Sequence, residues 1–345
     1  MSQEIDFMSK KKPLYPINTR LKEYLIDNRR DCSIPILYRD LVRYTNSFPL
    51  YDKNDKDTLW EIVMYDPVLY EELQRGLIYI YSLLKTEGDT SVSEHLAVDR
   101  IDYCSFGNTN PFRVKIINKL NDNYDYFYVK KVDASRVYGL ELEHILSPNR
   151  INYMVDKQTL IEEHIAGIPG DMFINEYLDS PTLNEVRIAK EFVKFNERCF
   201  VRLLGDMRSY NYVIDITPDF DNEQYRVRAI DFDQQSFEGK RTLYLPQYFK
   251  ENNAIVNLCI KTLPENTVNQ YRLEERTLIR GRAILARYRL KEIMDIMKED
   301  DISFPKKIGQ LKKELNAHHK TAKFKKCNSM GDLVRLNLAI ILSLD

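Results

Sequence analysis

Apolar residues recur at helical spacing through the first part of the chain, alternate with polar ones in the middle, and return to helical spacing towards the C-terminus. That order predicts an α+β protein with a helical region over residues 1–94, a strand-rich region over 95–180 and a mainly helical region over 181–345. Helices are expected at 21–30, 35–44, 58–65 and 67–85. The last is the clearest, because Asp66 is a good N-cap, Pro67 takes the first helical position, and Leu69, Leu73, Leu77, Ile80, Tyr81 and Leu84 share one face. Such a stripe packs against the rest of a chain more readily than it binds a partner, which leaves a protein partner at these helices as the second reading.

A polar break, Glu87-Gly88-Asp89-Thr90-Ser91, leads to alternating runs at 112–117 and 125–132 that read as strands. Residues 157–166 read as a helix ending at Gly167, and 172–178 as a strand. Residues 183–202 form one helix, with Val186, Ala189, Phe192, Val193 and Phe200 inward. Tyr212-Val213-Ile214 and the run 225–230 then pair as a ribbon around a turn marked by Pro218, Asp219, Asp221 and Asn222. Further helices are expected at 254–261, 271–298 and 332–344.

The chemistry sits at the base of that ribbon. Asp206-Met-Arg-Ser-Tyr-Asn211 precedes it and Ile230-Asp231-Phe232-Asp233 follows it. A loop that turns back over this short spacing presents Asp206 and Asn211 to one pocket, and the returning strand delivers Asp231 to the same end. Moving a phosphoryl group requires a carboxylate near the attacking hydroxyl and hard oxygen ligands that hold Mg²⁺ against the phosphates. Asp206 would supply the first; Asn211 and Asp231 would supply the second, with Asp233 as an assisting metal ligand. Turns and strand ends use the same residue types, so the signal lies in the combined order and spacing.

That order resembles the catalytic and metal-binding loops of protein-kinase-like enzymes, in which an Asp, four intervening residues and an Asn precede an Asp-Phe-Gly element. Leu204-Gly205 stands where conventional protein kinases have His-Arg, and Asp233 where they have Gly. Gly-Asp before the loop and a second acid after the metal Asp are more similar to divergent branches, the aminoglycoside and choline phosphotransferases and the HipA-type toxin kinases. The resemblance covers residues 103–233 and implies a two-lobed protein-kinase-like fold. The small antiparallel-sheet lobe falls at 95–180 and the helical large lobe at 181–345, after the extra helical region 1–94.

ATP and Mg²⁺ are the cofactors this implies. The run 125–132 resembles the third strand of the small lobe, and alternation puts Tyr128, Lys130 and Val132 on one face, so that Lys130 rather than Lys131 would meet phosphate. A lysine so placed needs a carboxylate; Glu162 or Glu163 would be the partner, with Glu143 as a rival. Glu176, Tyr177 and Leu178 would form the hinge that meets adenine through backbone groups, and the hairpin around Gly107, with Ser105 and Thr109, would cover the phosphates. The implied activity is ATP- and Mg²⁺-dependent transfer to a hydroxyl acceptor, protein or small molecule. Adenylyl transfer, and a catalytically inactive scaffold that binds other macromolecules, are the competing readings.

Composition narrows the setting. Lys and Arg number 51 against 52 Asp and Glu in 345 residues, which argues against nucleic acid or an anionic membrane as partner. The one basic run, Lys306 to Lys326, lacks the interleaved aromatics that stack bases; it reads as a solvated loop, with an acidic protein partner as its second use. Arg276, Arg280, Arg282, Arg287 and Arg289 read as the solvated face of a helix. Five scattered cysteines without a Cys-x-x-Cys motif, and no secretory leader, suggest a reducing cytoplasm. No apolar run is long enough to span a bilayer, and no His/Cys spacing suggests a structural metal.

Overall fold

In the computed structural model, residues 12–86, 93–219 and 222–344 are described. The expected break at 87–91 and Asp221 of the expected turn lie outside them. The chain divides into two units, the residues up to Asp133 with Asn152–His164, and Ala134–Ile151 with everything from Ile165 onwards.

The first unit opens with α1 (Thr19–Asp27), where the Asn18 side chain accepts from the Leu21 amide at 2.8 Å, and a single turn, α2 (Tyr38–Leu41). Strands β1 (Asn46–Tyr51) and β2 (Asp57–Met64) form a hairpin ahead of α3 (Pro67–Thr86). After α3 come β3 (Leu96–Tyr103), β4 (Phe112–Asn118), β5 (Tyr124–Lys131), β6 (Tyr153–Asp156) and β7 (Thr159–Glu163). Together they make one antiparallel sheet in the order β1-β2-β3-β4-β5-β7-β6.

Helix α3 begins as the sequence dictates, with Asp66 Oδ1 accepting from the Leu69 amide at 3.1 Å. Its stripe Leu69, Leu73, Leu77, Ile80 and Leu84 is buried in one cluster with Val98, Ile101, Val114, Ile116, Phe127 and Val129 of the sheet. The stripe is therefore core. Leu77→Ala empties a fully buried position there and is expected to cost about 2–5 kcal/mol, read as a lower urea midpoint.

Three expectations for this unit fail. The expected helix at 58–65 is instead strand β2, which ends at Met64, and only one helical turn forms within 35–44. Thr58, Trp60, Ile62 and Val63 suit a pleated surface, and a run this short does not fix its own period. Residues 157–166 hold β7, not a helix: it pairs with β5 on one side and β6 on the other, so Thr159, Leu160, Ile161 and Glu162 are all buried and no alternation shows.

The second unit contains α4 (Ala134–Leu146), a short β8 (Ile168–Pro169), α5 (Gly170–Glu176), α6 (Glu185–Arg202), and the ribbon β9 (Tyr212–Asp219) and β10 (Asn222–Ala229). These strands form a small antiparallel sheet in the order β10-β9-β8. Five helices follow: α7 (Asn253–Thr262), α8 (Glu265–Leu285), α9 (Arg287–Glu299), α10 (Pro305–His318) and α11 (Met330–Leu342). Sheet and helices are thus segregated, and the α+β class holds.

Here the strand expected at 172–178 falls largely on helix α5, and the single helix expected at 271–298 is two, meeting at Ala286 with no Gly or Pro to announce the break. The basic run is not a loop. It forms α10, with Leu311 and Leu315 buried, and a short turn at Lys323–Lys326 anchored by buried Phe324. Among the described residues, the five cysteines form no disulfide and no helix is long and apolar enough to cross a membrane.

Candidate active site

In the second unit the site begins where α6 ends. Leu203 closes the helix in the left-handed region (φ 55°), and Gly205 then donates its amide to the Gln234 carbonyl at 3.2 Å. Asp206 also has φ +57°, a conformation rare in residues other than Gly, Asn and Asp. The turn is held by its neighbours: the Asp206 amide donates to Leu243 O at 3.0 Å, and the Arg208 amide to Asp206 O at 2.9 Å.

Asn211 ties that turn to the ribbon. Its Nδ2 donates to Asp206 O at 2.7 Å and to Asp206 Oδ2 at 3.4 Å, while its own carbonyl accepts from the Ile230 amide at 3.0 Å. Because Tyr212 pairs with Ala229, the residues just beyond each strand, Asn211 and Ile230-Asp231, emerge at one end. With the amide nitrogen engaged by Asp206, the oxygen is the end of Asn211 that remains to act as a hard donor.

Asp206 is about one-third exposed and meets Arg208 Nε at 2.9 Å; Arg208 in turn reaches Glu251 Oε1 at 2.6 Å. Burial raises the Asp206 pKa to about 6, Arg208 opposes that rise, and the charges of Asp231 and Glu238 add to it. Asp231 and Asp233 share a cation that the sequence did not announce. Arg136 of α4, only 2% exposed, donates from one terminal nitrogen to Asp231 Oδ1 at 2.7 Å and to Asp233 Oδ1 at 2.8 Å. Helix α4 comes this close because residue 139 is glycine: a Cβ there would lie 3.0 Å from Phe232 Cβ.

In the first unit, Lys130 Nζ donates to Glu162 Oε2 at 2.8 Å, and both side chains are buried. Lys130 faces Leu160 across β5 and β7, which sets Glu162 two residues further along β7. Glu163 instead accepts from the Asn152 amide at 2.7 Å, and Glu143 belongs to the second unit, where it forms a buried ion pair with Arg202. Of the three carboxylates weighed in the sequence, the structure brings Glu162 to Lys130.

The hairpin around Gly107 is tight: a Cβ at Gly107 would lie 2.6 Å from Pro111 Cδ, and Gly107 O accepts from the Asn110 amide at 3.1 Å. Beside it, the buried amide of Asn108 has no hydrogen-bond partner at either end. Glu176, Tyr177 and Leu178 lie at the end of α5 and just beyond it, in the second unit, not on a strand of the large sheet. β7 ends at Glu163, and the division between units follows His164.

Arg136 and Arg208 are the residues that sequence reasoning missed. Arg208 lies inside the singled-out loop and could have been weighed there. Arg136 acts across 95 residues of chain, and nothing local marks it.

No family model matches the chain, and no curated protein does either. Among solved structures, the autoinhibited serine kinase domain of the giant muscle protein titin is similar at 13% identity with a TM-score of 0.28, over 71% of this chain and 92% of that one. Titin kinase with its flanking domains is similar at 13% identity with a TM-score of 0.26, over 66% of this chain and 51% of that one. Likenesses this weak add nothing to the reading of the residues.

Proposed function

We propose that the chain is an ATP- and Mg²⁺-dependent phosphotransferase of the protein-kinase-like kind, acting on a hydroxyl of a protein or small molecule. The supporting observation is the tethering of three groups at one end of the β9–β10 ribbon: Asn211 holds Asp206 through its side chain and Ile230, next to Asp231, through its carbonyl.

Asn211 and Asp231 fit a small hard cation. Mg²⁺ commonly takes one or two protein oxygens and completes its shell with phosphate and water. When bound, the ion would neutralise charge on the phosphates. Asp206 orients the acceptor hydroxyl and takes its proton, a role served by a pKa near the working pH. Within the first unit, Glu162 fixes the position of Lys130.

Asn108 carries a buried amide with no partner at either end, so Asn108→Ala is expected to leave the urea midpoint unchanged or higher, since removing an unsatisfied buried amide costs no hydrogen bond. Urea denaturation of the variant beside the native protein checks it.

The proposal is tested by incubation with Mg²⁺ and ATP labelled at the γ or the α phosphate, offered with a metabolite mixture and the protein's own hydroxyls. Transfer of γ label is expected. Transfer of α label would mean adenylyl transfer, and no transfer together with no nucleotide affinity would leave an inactive scaffold.

A further inference from the structure

We propose that Arg136 stands in for one of the two metal ions of kinase-type sites, so that this protein binds a single divalent cation with its nucleotide. The inference rests on the phosphotransferase reading above. In protein kinases two Mg²⁺ are held by the metal-loop Asp and the catalytic-loop Asn. Here one guanidinium nitrogen lies between Asp231 Oδ1 at 2.7 Å and Asp233 Oδ1 at 2.8 Å, the position a cation shared by the two carboxylates would occupy.

Asp231 Oδ1 also accepts the Asp233 amide at 3.0 Å, so that oxygen is filled twice over and Asp231 has one oxygen left for metal. One oxygen of Asp231 with the amide oxygen of Asn211 makes a single site. A second dication beside Asp233 would sit against a buried guanidinium at hydrogen-bond range, where like-charge repulsion is poorly screened.

Arg136 is not placed to swing aside. It is 2% exposed, its other terminal nitrogen donates to Ile230 O at 3.4 Å, and its helix is pinned further along. Glu141 of α4 pairs with Arg289 at 2.6 Å and Glu143 pairs with Arg202, so the helix is tied at two points beyond the arginine. Asp233, in this account, is the anchor of Arg136 and not a metal ligand.

The test counts Mn²⁺ bound per full-length chain at saturating non-hydrolysable ATP analogue, from the paramagnetic resonance signal of unbound Mn²⁺. The native protein is expected to hold one ion, and Arg136→Met two, the second at Asp233. Two ions in the native protein, or one in both, would overturn the inference and leave the phosphotransferase reading intact. No nucleotide-dependent Mn²⁺ in the native protein would overturn both. Should Arg136→Met fail to fold, Asp233→Asn decides: a count that stays at one supports the assignment, and a fall to none makes Asp233 a ligand and sinks it.

Discussion

Asp206→Asn is expected to slow phosphoryl transfer by about 10²–10⁴-fold, the range a positioned general base contributes. The exchange is close to isosteric, and Asn tolerates the left-handed backbone that Asp206 adopts at φ +57°, so the turn itself should survive. Arg208 loses one carboxylate but keeps Glu251 at 2.6 Å. What disappears is the ability to take a proton. Rates of γ-label transfer, with circular dichroism to confirm the fold, give the result; a loss smaller than about tenfold would remove Asp206 from the chemistry.

A second large effect is expected on stability. Arg202, in the last turn of α6, pairs with Glu143 of α4, and each side chain is 3% exposed. Burial lowers the Arg202 pKa to about 9, which leaves the arginine charged at pH 7. Arg202→Met strands Glu143 as an unpaired buried charge and is expected to cost about 3–5 kcal/mol in urea denaturation. The double variant Arg202→Met, Glu143→Leu removes both charges and should regain most of that loss. If the double variant is as unstable as the single one, the damage comes from packing and not from charge. The effect reaches the candidate site as well, because α4 carries Arg136 and a loosened α4 would release Asp231 and Asp233.

What could be read in the sequence was the information that neighbours carry. Asp66 and Pro67 marked the start of α3, and the Leu69 to Leu84 stripe marked its buried face. Alternation in 125–132 put Lys130 and Lys131 on opposite faces, and Lys130 is the buried one. The order Asp206, Asn211, ribbon, Asp231 was legible because one hairpin links those residues in sequence as well as in space. Failures gathered where tertiary burial hides the local period. β7 lies between two strands with Thr159, Leu160, Ile161 and Glu162 all buried, and its polar and apolar residues do not alternate, so it read as helix. The choice between Glu162, Glu163 and Glu143 depended on that strand, since only its register sets Glu162 towards Lys130. Arg136 was invisible for a related reason: its partners lie far along the chain, and a single arginine in an otherwise ordinary helix carries no mark of what it meets.

In the proposed site Asp231 and Asn211 hold a cation against the phosphates of a bound nucleotide. Titration calorimetry of a non-hydrolysable ATP analogue, with and without Mg²⁺, in the native protein and in Asp231→Asn, tests it without knowledge of the acceptor. Affinity is expected to rise with Mg²⁺ in the native protein and no longer to respond to it in the variant. An affinity indifferent to Mg²⁺ and unchanged by the substitution would contradict it.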